Sequence, residues 1–558
     1  MKKFKLNILA LGAVIIGTTS CSESFLDTEP ITSTTTGNFY KTENDAYRAL
    51  VGCYDGWQTT ASDGFQFYLA SEILSDECLG ATGQTDGYAY QVMDRFDISI
   101  SPSDINILEP NWKLYYAGIY RCNEFLKYEE QIDWKTENRR ETYIGECRAL
   151  RALMYFDMVR MWENIPLVDE PTTENLPQSH PDLVYALIVE DLKYAINNIP
   201  ANAYPKANAA TNDGHITKYA AEALLARVYL FYTGYYGKDL AGVSKAEVLE
   251  GLEDVIANSG CSLVPEFKNL WPAACSTPID GELAFNTTYA GEGNSEIVLA
   301  QKFNNTSDYS GNADSNIWMR MIGMRSLSAS PYGRGWGACT VNPKIVNAYE
   351  NGDTRKAASI IDLDAEGITA TADFQASVKD WREYTGYTIK KYSPLAFYNG
   401  NSATKEDGSG DFQMHNHQDY FVVRLSDVYL MAAELGSAKA LEYVNRVRER
   451  AYTVSVSNGV PVLADGYTSL TSVSKEIIMK ERMLELSFEG HRYWDLLRQG
   501  VDYAASQIAG SISVLNGNNP ATVTIDANNI IVKRGLMPIP QNQITLSGNV
   551  LVQNDGWR

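Results

Sequence analysis

His415 and His417 stand one residue apart between Asp411 and Asp419. Such an H-x-H pair on an extended segment, with carboxylates beside it, could offer ligands to a metal. A solvated loop explains the same four residues, and no metal site is expected there. The acidic run Asp362, Asp364 and Glu366 could hold calcium, but it lacks the glycine-containing twelve-residue loop of an EF-hand. The chain carries 69 acidic residues. A glycosidase needs two of them at a fixed separation across a cleft, and nothing in their spacing isolates such a pair. There is no H-E-x-x-H, no G-x-S-x-G elbow and no phosphate-binding Walker loop, and the run from Gly291 to Glu296 lacks the third glycine of a dinucleotide fingerprint. Neither catalysis nor a cofactor is expected.

Binding chemistry is better supplied. Tyr outnumbers Phe by 35 to 17, as suits aromatic surfaces that must stay wet. In the segment from Leu79 to Asp97, Tyr88 and Tyr90 lie two residues apart and would face one side if extended, with Gln84 and Asp86 nearby. Between Tyr289 and Trp336, Trp318 stands with Arg320, and Tyr332 with Arg334 and Trp336. Flat rings beside Asp, Gln or Arg form the mixture that grips a sugar, whose apolar C–H faces carry a rim of hydroxyls. The competing role for each ring is to plug its loop onto the scaffold. Of these residues, Trp318 is singled out as the first expected contact.

These loops need a scaffold, and the chain is long enough to build one. Its 558 residues exceed the size at which single cores stop growing, about 250 to 300 residues, so two lobes or an extended array are expected. Hydrophobic residues at 45% and charged residues at 21% are ordinary for a globular chain. Lys2, Lys3 and Lys5 precede a short apolar run from Ile8 to Ile16, the pattern of a signal peptide over residues 1–20. Small residues then lead to Cys21, a lipobox-like site for acylation; ordinary signal cleavage, with Cys21 irrelevant, is the alternative. The net charge of −22, more negative still after cleavage, repels polyanions and excludes nucleic acid as a natural partner. The other seven cysteines show no C-x-x-C pair and no zinc spacing. Cys122 and Cys147 fall in helical patterns and read as small buried residues, while a disulfide between loop cysteines is left open.

Thr42 to Asp45 forms a capping box ahead of Ala46, Leu50, Cys53, Tyr54 and Trp57 at helical spacing. Ser179 to Asp182, with Pro181 in the first turn, forms a second, opening a helix with Leu183, Leu187, Ile188 and Leu192. The stretches Glu146 to Trp162 and Ile216 to Tyr236 place small residues on the same stripe as large ones, as paired helices require. The pattern resembles tetratricopeptide repeats, irregularly spaced. Residues 259–419 are rich in Gly, Asn, Ser, Asp, Tyr and Trp, and loops with short strands are expected. Helices return over 420–500. Glu481, Arg482, Glu485, Glu489, Arg492, Asp495 and Arg498 mix signs along one expected helix and read as a bracing network of i,i+3 and i,i+4 pairs.

Several segments together resemble the SusD/RagB outer-membrane lipoproteins of Bacteroidetes: CSESFLDTEP from Cys21, RALRALMYFDMVRMWENIPLV, VVRLSDVYLMAAE, YVNRVRERA, ERMLELSFEGHRYWDLLR, and LMPIPQNQITLSGNVLVQNDGW ending at Trp557. The resemblance runs over essentially the whole mature chain. It implies a mainly α fold with tetratricopeptide-like helix pairs as a platform and a loop-rich ligand-binding region with short strands. Residues 21–258 and 259–558 would form one structural unit. It further implies a cell-surface protein, lipid-anchored at Cys21 in the outer membrane and facing the exterior, that captures an oligosaccharide and delivers it to a SusC-like TonB-dependent transporter. The expected ligand contacts are Gln84, Asp86, Tyr88, Tyr90, Trp318, Arg320, Tyr332, Arg334 and Trp336. A surface-anchored glycoside hydrolase and a tetratricopeptide-like protein-binding adaptor are the alternatives.

Overall fold

The structure is a computed structural model that describes residues 39–64, 66–208, 214–279, 282–284 and 288–558. The expected signal segment, residues 1–20, and Cys21 lie outside the described residues. The helices that position the site are α1 (Glu43–Ser62), α2 (Gln66–Ile73), the short α3 (Ala89–Asp94), α4 (Glu109–Tyr128), α5 (Arg139–Trp162), α6 (Pro181–Asn198), α7 (Lys218–Tyr236), α8 (Lys245–Asn258), the short α9 (Ile317–Ile322), α10 (Leu425–Glu434), α11 (Ala440–Ala451), α12 (Lys475–Leu486) and α13 (Arg492–Leu497). Consecutive helices pack on one another, α1 on α4, α4 on α5, α5 on α6, α6 on α7 and α7 on α8. This is the paired-helix platform. No helix among the described residues is long and apolar enough to cross a membrane.

α1 begins where the sequence places it. The Thr42 hydroxyl accepts from the Asp45 N–H at 3.2 Å, and the Thr42 N–H donates to the Asp45 carboxylate at 2.9 Å, a complete capping box. α6 begins one residue later than expected. Ser179 pairs with Ile165 in a short antiparallel ladder, so the cap falls to His180, whose Nδ1 accepts from the Asp182 N–H at 3.3 Å. Ile188 and Leu192 face the core as expected, joined by Val184 and Tyr185, whereas Leu183, expected on the same stripe, is exposed.

The strands pair two by two, and those that position the site are β1 (Cys78–Gly80), β2 (Thr82–Gly83), β3 (Ile297–Gln301), β4 (Cys339–Val341), β5 (Trp381–Arg382) and β6 (Tyr420–Arg424). β1 pairs with β4, β2 with β5 and β3 with β6, all antiparallel. Each of these three ladders ties a segment of the first third of the chain, or β3, to one from the loop-rich region or beyond. One hydrophobic core runs from Tyr40 to Trp557, and a smaller one gathers Met324, Leu327, Tyr332, Ile361, Phe374, Val378 and Trp381 under the loops.

The charged run from Glu481 to Arg498 braces the fold, but not as a single helix. Phe488 and Gly490 take positive φ and separate α12 from α13. Asp495 and Arg498 make the expected i,i+3 pair. The other pairs reach across the molecule: Glu481 to Arg355 (2.5 Å), Glu485 to Arg424 (2.7 Å), Glu489 to Lys391 (2.6 Å), Arg482 to Asp427 (2.7 Å) and Arg492 to Asp76 (2.7 Å). All of these groups are buried. Burial opposes ionisation of Asp427, yet the guanidiniums of Arg482 and Arg227 hold its carboxyl well below the usual range.

Candidate ligand-binding face

The β2–β5 ladder fixes the first loop. From it, the Gln84 side-chain amide donates to the Trp381 carbonyl at 2.7 Å, and the Gln84 N–H to the Asp380 carbonyl at 2.8 Å. Arg382 then donates to the carbonyls of Gln84 (2.6 Å), Asp86 (3.1 Å) and Gly87 (3.1 Å), which spends a cation on shaping backbone. Its guanidinium lies 4.1 Å from the centre of the Tyr88 ring, so the ring rests on a cation and remains 44% exposed. Tyr88 caps α3 and Tyr90 lies within it. The two rings therefore do not share one side as an extended strand would have placed them. Tyr90 is half-buried, and burial followed by the Asp86 carboxylate pushes its hydroxyl pKa up.

Arg325 joins this loop to the second. It pairs with Asp86 at 2.8 Å and Asp380 at 2.6 Å and donates to the Trp336 carbonyl at 3.2 Å. Gly83 makes this contact feasible, because a Cβ there would fall 1.9 Å from an Arg325 nitrogen. Arg320 stacks 4.2 Å from the Trp336 ring centre, donates to the Gln413 carbonyl at 2.8 Å, and accepts on its own carbonyl from the Trp336 N–H at 2.8 Å. Burial pulls its guanidinium pKa below the usual range. Arg334 is exposed and lies 4.4 Å from the centre of the Phe412 ring. It lines a cleft of about 430 Å³ with Asn399, Asn401, Asp411, Phe412 and Gln413.

Two of the expected contacts sit elsewhere. Trp318, on α9, is 0% exposed and belongs to the main core, because α9 packs against α1, α2 and β4 and turns the indole inward. Tyr332 is buried in the smaller core, with its hydroxyl donating to Glu366 at 2.7 Å. As placed, neither ring offers a face to a ligand. Sequence reasoning passed over Tyr309, which is 77% exposed and donates from its hydroxyl to Asp411 at 2.7 Å. Its signal was local: Asp308 accepts from the N–H groups of Ser310 (2.7 Å) and Asn312 (3.3 Å), a tight turn that throws the intervening ring outward. Tyr398 and Phe412 are also exposed or half-buried on this side. His415 turns its Nδ1 to accept from the Asp411 N–H at 2.8 Å, and the His417 Nδ1 meets the His415 carbonyl at 3.1 Å, so both imidazoles serve the loop backbone.

A second cavity, of about 300 Å³, lies on α1 around Tyr47, Val51, Tyr54 and His215. None of the expected contacts lines it. Beneath it the buried Glu146 carboxylate accepts from Tyr54 (2.5 Å) and Tyr204 (2.6 Å) and pairs with the His215 Nδ1 (2.7 Å).

Residues 85–230 match a family model described as starch-binding associating with outer membrane, and residues 368–557 match the SusD family model. SusD-like protein P2 of Formosa agariphila is 26% identical, with both chains covered in full. A SusD-like protein of Bacteroides ovatus is 24% identical over 89% of this chain and 82% of its own. Among solved structures, a laminarin-binding SusD-like protein superposes with a TM-score of 0.67 at 26% identity, covering 92% of this chain and 99% of its own. Surface glycan-binding protein A from Bacteroides thetaiotaomicron, in complex with laminarihexaose, gives a TM-score of 0.68 at 22% identity over 92% of this chain and 100% of its own. The mainly helical platform, its loop and short-strand region, these relatives and the two matched segments agree that the chain belongs to the SusD/RagB family of outer-membrane proteins.

Proposed function

We propose that this chain captures a glycan at the face formed by Tyr88, Tyr309, Trp336, Arg334 and Phe412 and passes it to a TonB-dependent transporter in the same membrane. The observation that carries the reading is one open cleft lined by Arg334, Phe412, Asn399, Asn401, Asp411 and Gln413, with the exposed Tyr309 bonded to its Asp411 and Trp336 stacked on Arg320, which holds the Gln413 carbonyl. Stacking faces with a polar rim suit a neutral, hydroxylated ligand. The relatives named for laminarin make a β-glucan oligosaccharide the first ligand to try. Binding is favoured over hydrolysis because Asp411 is the only carboxylate among the residues lining the cleft, whereas glycosidases work with two.

In the same proposal the chain is acylated at Cys21 and faces the exterior. A Cys21→Ala variant is then expected in the soluble fraction of a strain lacking the transporter, and continued fractionation with the outer membrane there removes the tether. Calorimetry with laminarihexaose and with unrelated α-linked oligosaccharides tests the ligand. Saturable heat with the β-glucan supports the reading, and no heat with any glycan in the panel overturns it. Affinity purification from native membranes tests the partner. Recovery of the chain alone under mild detergent removes the transporter from the proposal.

A further inference from the structure

Cys53 on α1, Cys122 on α4 and Cys147 on α5 come from separate segments of sequence and meet in the middle of the helical platform. All three are fully buried. Their sulfurs lie within 4.8 Å of one another, and the Cys53 and Cys147 sulfurs are 3.9 Å apart. Two glycines bring the helices close enough for this. Gly56 lies one turn beyond Cys53 and Gly118 one turn before Cys122. A Cβ on Gly56 would meet the Gly118 Cα at 2.8 Å, and one on Gly118 would meet the Met154 sulfur at 2.5 Å. The α1–α4 crossing is thus built at glycine contact distance, with the thiols next to it.

Three sulfurs around one metal at a bond length of about 2.3 Å form a triangle with edges of about 4 Å. The spacing on the page is already of that size. The donor set is all sulfur, with no carboxylate or imidazole in the group, which selects a soft cation. It has three members where structural zinc takes four. We propose that Cys53, Cys122 and Cys147 form a closed trigonal site for copper(I), loaded while the chain folds.

No electron moves in this step. Copper enters as the monovalent ion, three copper–sulfur bonds form, and the thiol protons leave to solvent. Only the thiolate is a good ligand, so loading is coupled to release of the thiol protons and is favoured as pH rises.

The test uses the full chain begun after Cys21, refolded without oxygen in copper(I) buffered by a competing chromophoric chelator. One copper retained per chain, with three sulfur neighbours by X-ray absorption and a raised melting temperature, is the expected result. Cys53→Ala and Cys147→Ala should each lower retention to none, while Cys275→Ala, outside the cluster, retains one. Circular dichroism checks that the variants fold, and Cys122→Ser serves where an alanine variant does not. The copper and sulfur count of the unsubstituted chain decides the question even if every variant misfolds. Three free thiols with no copper retained overturns the proposal. So does a mass lower by two hydrogens from a disulfide within the cluster, or copper retained equally by the cluster variants.

Discussion

Arg424 and Glu489 grip each other side-on, Nε to Oε2 at 2.6 Å and Nη2 to Oε1 at 2.8 Å, with both side chains out of solvent. Arg424 also meets Glu485 and Glu296, and Glu489 meets Lys391. Glu489→Ala would leave two buried cations short of an anion, and breaking such a pair from one side costs about 3–5 kcal/mol. Urea denaturation should register that loss. A change below about 1 kcal/mol would mean the network relaxes around the gap.

Trp318 and Tyr309 should separate cleanly. Trp318→Ala removes a buried indole and should lower stability by about 3–5 kcal/mol. Tyr309→Ala with Tyr88→Ala should leave the melting temperature nearly unchanged and weaken laminarihexaose binding by about 1–3 kcal/mol, measured by calorimetry. Full affinity in the double variant would move the ligand off this face.

Glu292 should make stability fall with rising pH. Burial, followed by the charge of Asp419, raises its carboxyl to about 7. The folded chain therefore holds a proton that the unfolded chain releases near the ordinary carboxyl value, and this contribution to stability is lost as pH rises from that value toward about 7. Glu292→Gln should flatten the slope of stability against pH in this window. An unchanged slope would assign it to another group.

His215 should titrate above an ordinary histidine. Burial lowers its pKa, but the hydrogen bond and charge of Glu146 more than reverse this. The pair's contribution is fully present below the unfolded histidine pKa and is lost as pH rises through the folded one. In an NMR titration, Glu146→Gln should move the His215 midpoint to lower pH. A midpoint that stays put would show that the carboxylate does not control it.

The scaffold was legible because its signals are local. A capping box such as Thr42 and Asp45 needs three residues of context, and small-against-large helix stripes need about twenty. The loops were less legible. Trp318 and Tyr309 are both aromatic residues in one polar stretch, and their opposite fates depend on α9 packing beneath neighbours distant in sequence. The bracing charges were readable as structural, but not their partners. Positive φ at Phe488 and Gly490 breaks the expected helix and redirects Arg482, Glu489 and Arg492 toward other elements. Cys122 and Cys147 were readable as buried, whereas their meeting with Cys53 depends on the α1–α4–α5 packing alone.

Asp76 and Arg492 are 416 positions apart, and Arg492 is the main partner of a carboxylate buried among Glu72 and Glu77. During synthesis Lys344 becomes available to Asp76 midway, but the arginine that grips both of its oxygens arrives near the end of the chain. Closing so long a loop adds little to the equilibrium cost, since that cost grows only with the logarithm of length. The burden falls on time: folding dominated by distant contacts is slow, and intermediates stay exposed meanwhile. A chain cut before Lys475 should therefore remain protease-sensitive along its whole length rather than leave a resistant helical half.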